Sequence, residues 1–169
     1  MNNEQTPEHL RHKPLTRLDR PREFVLACPA FKSSVNLSRI VRLAGCVAVE
    51  KVIACGSAKI DSSIARDGGK HVSIERRRTL LPILKSLKQD GYQLVGLEQT
   101  NRSRLIYEYS FRRKTALVIG HERNGMSAEE LAIMDDLIEI PVYGLPYSYN
   151  VVTATTMAVY EYVRQFPSG

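Results

Sequence analysis

Thr115 to Ile119, TALVI, is a near-continuous apolar run held between Lys114 and Gly120. A strand with one face in water alternates apolar and polar side chains, so an unbroken run fits a strand buried on both faces. Strands of that kind belong to parallel sheets, where each step to the next strand needs a crossover. The remaining segments supply such units. Glu23 to Cys28 reads as a first strand ended by Pro29. Val35 to Gly45 has helical spacing, with Leu37, Ile40, Val41 and Ala44 on one face. Lys51 to Cys55 is a second strand, and strand, helix, strand in that order predicts a parallel pair with a right-handed crossover. Thr79 is placed to cap a helix through Gln89, with Leu80, Leu84 and Leu87 as its buried stripe, Pro82 in its first turn and Gly91 at its end. Tyr92 to Glu98 is a third strand, and Leu105 to Tyr109 a short extended piece. Leu137 to Ile140 forms a last strand that stops at Pro141, since proline cannot donate to a ladder. Val151 to Gln165 runs on without Gly or Pro as a long helix, with Ser148 or Asn150 as its cap. The expected fold is α/β, a mostly parallel sheet flanked by helices.

The chain has 169 residues, 43% hydrophobic and 25% charged, which suits one domain with a real core. We place that domain at 23–169, behind a basic arm at 1–22. No apolar run reaches membrane-spanning length, and the first residues lack the apolar core of a signal peptide. Cys28, Cys46 and Cys55 show no CxxC spacing and read as small, reduced core residues of a cytoplasmic protein. The four histidines are scattered, so neither a metal nor a membrane is expected. The formal net charge of +6 is clustered, and clustered positive charge points to a polyanionic partner, nucleic acid first. Arg11 lies in the arm. Arg66 and Lys70 occupy a polar connection from Gly56 to Ser73, and Arg76, Arg77 and Arg78 extend it as one positive patch. Arg102 and Arg104 lie in a further basic loop. These are the candidate nucleic-acid contacts. The arm reads equally as a phosphate-contacting segment or as a solvated tail.

Two loops attract attention as a ligand site. Gly120 to Ser127 follows the buried strand, and Ser127 with Glu130 is a capping box that starts a helix at Ala128. The loop is neither the dinucleotide GxGxxG nor a P-loop, and alone it reads as a strand-to-helix turn. Tyr143 to Asn150 is loaded with turn formers between a strand and a helix start. That layout makes a pocket rich in free backbone N–H and C=O groups, suited to a nucleotide-like ligand. Asn36 and Arg42, six residues apart on the first helix, can border one cleft. Taken singly, they are a helix cap and a surface charge.

Three segments in order change the reading. Asn36 to Arg42 resembles an N-x5-R motif, Leu117 to Ser127 a strand-G-x-E-x-x-G motif, and Ile140-Pro141-Val142-Tyr143-Gly144 with Ser148-Tyr149-Asn150-Val151 an IPM-x-G…SLNV motif. Together they resemble the three signature motifs of the SpoU/TrmH branch of the SPOUT RNA methyltransferases, over roughly Glu23 to Gln165. Leu97-Glu98-Gln99-Thr100 further resembles the subgroup with eukaryotic tRNA guanosine ribose methyltransferases. Val142 and Tyr149 stand where the family usually has Met and Leu, and no separate RNA-binding domain is expected ahead of the catalytic region.

The resemblance implies a C-terminal trefoil knot, a homodimer, and S-adenosylmethionine as cofactor, bent into the loops at 120–125 and 141–150. It implies cofactor contacts from Leu97, Glu98, Ile119, Gly120, Glu122, Gly125, Ile140, Pro141, Gly144, Tyr149 and Asn150. It assigns catalysis to Arg42, with Asn36, Glu122, Ser148 and Asn150 positioning it, the cofactor and the reacting nucleotide. Arginine is a poor base, so a substrate phosphate held by Arg42 can share the proton of the attacking hydroxyl. The implied reaction is methylation of a ribose 2′-OH, foremost in a tRNA guanosine. Ribosomal RNA is the alternative substrate. A non-catalytic RNA-binding protein of the same fold and a generic nucleotide-binding domain are the alternative classes.

Overall fold

The computed structural model describes residue 9, residues 13–144 and residues 147–169. The elements run β1 (Phe24–Cys28), α1 (Ser34–Cys46), β2 (Lys51–Cys55), α2 (Ser62–Ala65), α3 (Gly68–His71), β3 (Ser73–Arg77), α4 (Leu81–Gln89), β4 (Gln93–Leu97), β5 (Arg104–Leu105), β6 (Thr115–Ile119), α5 (Ala128–Ile133), β7 (Asp136–Glu139) and α6 (Val151–Gln165). Seven strands form one sheet in the order β3-β2-β1-β6-β4-β7-β5, and every pair is parallel. The expected α/β class is borne out. β1, β4 and β6 are buried at every position, as their apolar runs require.

The pleat divides the core into two. Leu26, Val52, Val95, Leu117 and Ile138 face α1 and α6, together with Leu37, Ile40, Ala158 and Tyr162. Val25, Ile53, Leu94, Ala116 and Val118 face Leu84 and Leu87 of α4. No helix among the described residues is long and apolar enough to cross a membrane. At the chain ends, Arg22 is buried. Its guanidinium donates to the carbonyls of Val47, at 2.9 Å, and Phe166, and the Asp19 N–H donates to Ser168 O at 2.9 Å.

Several local expectations need correction. The connection after Gly56 holds α2 and α3 and then β3, an edge strand whose charged sequence, SIERR, masks its period. Ile74 pairs with Val52 and Glu75 with Ile53, so Arg76 lies on the α1 face and Arg77 on the α4 face. The three arginines therefore do not form one patch. Thr79 does not cap α4: the N-cap is Leu80, without a side-chain bond. Of the extended piece at 105–109, only Arg104–Leu105 pairs, and Ile106–Glu108 forms a 3-10 turn. Asn150, not Ser148, caps α6 by accepting the Val152 N–H at 2.9 Å. Asn36 does not cap α1, since Ser33 does. Cys28 and Cys55 are buried as expected, with burial pushing the Cys55 thiol up to about 11, but Cys46 is exposed at the end of α1.

Candidate active site

β4, β6 and β7 are neighbours that end at one edge, and a cavity of about 450 Å³ opens there. Ligands of open parallel sheets bind outside the carboxyl ends of strands, and this volume lies in the range of small-molecule sites. Leu97, Ile119 and Ile140 give it an apolar wall. Asn36 from the first turn of α1 borders it, as do Ser148, Tyr149 and Asn150 before α6.

The turn after β6 is closed on itself. The His121 and Gly125 backbones pair as an antiparallel bridge, with N–H to O distances of 3.2 and 2.9 Å. The N–H groups of Arg123 and Asn124 donate to His121 Nδ1 at 3.2 and 3.4 Å. The Met126 N–H donates to Glu98 Oε2 at 2.9 Å. The turn thus spends the N–H groups of 121, 123, 124 and 125 internally and that of 126 on Glu98. These bonds leave little room for a phosphate-cradling nest in this loop.

Glu122 points back toward α1. Its Oε1 accepts from Asn36 Nδ2, and its Oε2 accepts the Lys32 N–H at 3.3 Å. This contact joins the first and second sequence segments across 86 residues. The reason is topological: β1 and β6 are adjacent, so the loop entering α1 and the turn leaving β6 open side by side.

Of the expected cofactor contacts, Leu97, Glu98, Ile119, Gly120, Glu122, Gly125, Ile140, Tyr149 and Asn150 line the cavity. Pro141 and Gly144 are not among its lining residues. Arg42 is exposed on α1 and is not among them either. The spacing explains this: six residues turn a helix by about 600°, so Asn36 and Arg42 face directions about 120° apart. Gln99, His121, Arg123, Glu139, Val151 and Ala154 line the cavity and were missed. His121 and Arg123 lay inside the quoted motif, at positions its pattern leaves free. Val151 closes the third quoted motif and Gln99 lies in the quoted Leu97 to Thr100 segment, whereas Glu139 and Ala154 carried no separate signal.

The candidate RNA contacts are scattered. Arg11 lies outside the described residues. Arg66, Arg78 and Arg102 are exposed. Lys70 pairs with Asp67 at 3.0 Å and Arg77 with Glu75. Arg76 donates to the Ala58 carbonyl at 2.7 Å. Arg104 lies 3.8 Å from Asp136 and over the Tyr109 ring. Tyr109 also donates to Asp136 at 3.1 Å, and burial pushes its hydroxyl above the ordinary tyrosine range.

Residues 23–160 match the SpoU rRNA Methylase family. A tRNA (guanosine(18)-2′-O)-methyltransferase of Aquifex aeolicus is 33% identical over 150 residues, covering 86% of this chain and 71% of the relative. The enzyme of the same name from Escherichia coli K12 is 32% identical over 133 residues, covering 77% of this chain, which spans just 58% of the relative. The crystal structure of a TrmH/SpoU tRNA modifying enzyme of Aquifex aeolicus superposes with a TM-score of 0.82 at 31% identity, covering 89% of this chain and 78% of that one.

Proposed function

Because the chain belongs to the SpoU methylase family, we propose that it transfers a methyl group from S-adenosylmethionine to a ribose 2′-OH in RNA, foremost a guanosine of tRNA. The observation that carries this reading is the meeting of all three sequence segments at one cavity, sealed by the Asn36–Glu122 contact. The cavity fits the donor. Its apolar wall suits an adenosine, and the turn after β6, with the N–H groups of 121 and 123–126 already engaged, is poorly suited to cradle a phosphate. When bound, the donor supplies a methyl already activated by its sulfonium.

The chain's own residues then have positioning to do, which accounts for much of such a reaction. Glu122, held by Asn36 and the Lys32 N–H, is an oriented carboxylate at the cavity rim. Ser148 and Asn150 border the mouth, with Asn150 fixing the start of α6. Arg42, exposed and outside the lining, acts on the RNA: its guanidinium holds the phosphate beside the reacting ribose. Arg66, Arg78 and Arg102 extend the phosphate path. Selection of a ribose hydroxyl distinguishes RNA from DNA.

The same reading includes a homodimer, a knot through the C-terminal segment, a cytoplasmic location and a domain at 23–169 behind an arm at 1–22. Exposed Met157 and Tyr160, three residues apart on α6, with Val35 on the adjoining α1, support an interface there. Calorimetry with S-adenosylmethionine, followed by nucleoside mass spectrometry of tRNA and rRNA fractions with and without the protein, tests the whole. We expect donor binding and a new 2′-O-methylguanosine in tRNA. Silence at millimolar donor refutes the reading, and a new mark confined to rRNA reassigns the substrate.

A further inference from the structure

Glu98 follows β4, and its carboxylate borders the cavity. Both of its oxygens are already engaged by the protein. Oε2 accepts the Met126 N–H at 2.9 Å and Oε1 accepts the Gln99 N–H at 3.2 Å. The same carboxylate lies against both glycines of the turn. A Cβ at Gly120 would strike Oε2, and one at Gly125 would lie 2.7 Å from it. Gly125 also has a φ of +65°, so that position resists a side chain on two counts. The register explains the meeting: Leu97 pairs with Ile119, so the next residues, Glu98 and Gly120, leave the sheet together.

Charge-assisted acceptance of a backbone N–H is among the stronger hydrogen bonds, and Met126 is buried, so an unpaired N–H there is costly. From this geometry we infer that Glu98 is a positioning residue: it braces the 120–126 turn through the Met126 N–H, so that Gly120 and Glu122 face the cavity, and it does not itself bind the donor. The inference rests on the cavity being the donor site. It goes further in giving the spacing of the two glycines a cause, the room needed for a carboxylate delivered by the neighbouring strand.

The test uses the full chain, with S-adenosylmethionine titrated by calorimetry and turnover followed in parallel. Absence of binding by the unaltered protein refutes the donor site itself. With binding established, Glu98→Ala raises the donor Kd and KM about tenfold or more, since a misplaced site loses affinity for what it positions. A role in folding alone lowers the active fraction and leaves the Kd of folded molecules unchanged, and that result overturns the inference. Glu98→Gln keeps one acceptor oxygen, so its Kd rises only about threefold. Gly120→Ala weakens the donor because its methyl displaces the carboxylate. In Glu98→Ala that collision is gone, so the double variant binds about as well as Glu98→Ala alone, a non-additive result. Losses that simply add overturn the inference. Where Glu98→Ala does not fold, Glu98→Gln decides: a raised Kd at an unchanged thermal midpoint supports the role, and an unchanged Kd overturns it.

Discussion

Gly68 and Gly120 both sit against a neighbour that leaves no room for a methyl group, and the neighbours differ in kind. At Gly68 the obstacle is backbone: an added Cβ would lie 2.7 Å from the Val41 carbonyl and 2.9 Å from Arg42 Cα. At Gly120 it is the tip of the Glu98 side chain. The first glycine lets α3 land directly on α1 and closes that side of the molecule, and Gly45 meets it from the other helix. The second lets a turn wind around a carboxylate and leaves a cavity open beside it. A backbone obstacle can yield only by moving a helix, whereas a side-chain tip can rotate away. Glycine in a loop is therefore not evidence of a ligand until its neighbour is known. The helix that Gly68 braces carries Arg42, so the two glycines bear on the two halves of the proposed reaction, phosphate on one side and donor on the other.

The largest expected effect separates those halves. Arg42→Ala lowers methyl transfer by about 10²- to 10⁴-fold, the usual worth of help with the proton, while the donor Kd measured by calorimetry stays within about twofold. A matching loss of donor affinity would merge the two regions into one site and break the comparison.

Gly68→Ala comes next. Overpacking against backbone costs about 1–3 kcal/mol, read from the midpoint shift in urea. Gly120→Ala shows a smaller stability loss and a larger donor effect. Equal stability losses would mean that the carboxylate at Gly120 is as immovable as the α1 backbone.

Much of this was legible beforehand. TALVI announced a buried strand, and the capping box at Ser127 and Glu130 appears with both reciprocal bonds. α6 runs from Val151 to Gln165 as its unbroken pattern required. β3 was not legible, because an edge strand exposed to solvent carries charged residues and no apolar period. The role of Asp67 to Lys70 was hidden for a related reason. Basic and glycine-rich composition looks the same whether a segment meets a phosphate or a helix, and only the sheet order brings Gly68 onto α1. The contact between Glu98 and Gly120 was equally invisible, since it depends on the β4–β6 register.

A third experiment compares an arginine of the closed side with one on the α4 face. Arg66 is exposed beside Gly68, with a φ of +52°, whereas Arg77 is engaged by Glu75. In RNA binding measured across salt concentrations, Arg66→Gln lowers the slope of log K against log salt by about 0.7–0.9, one phosphate contact. Arg77→Gln lowers it by less, because Glu75 already offsets that charge. Equal slopes would place β3 on the RNA path after all.

The smallest effect concerns Lys70, in the same segment. Its ammonium lies 3.0 Å from Asp67 and both side chains are exposed to solvent, so the pair stabilises the fold little. Its hydrogen bond and charge hold the Asp67 carboxyl below the usual carboxylate range. A carboxyl whose folded value is depressed contributes stability above its unfolded value, and that contribution is lost as pH falls through the folded one. Lys70→Gln should therefore return Asp67 to the ordinary range in an NMR titration and narrow the acid-side difference between folded and unfolded chains. Donor affinity should not move, because neither residue lines the cavity. A shift in donor affinity would show that the closed side communicates with the open one through α1, and the separation drawn between Gly68 and Gly120 would fail.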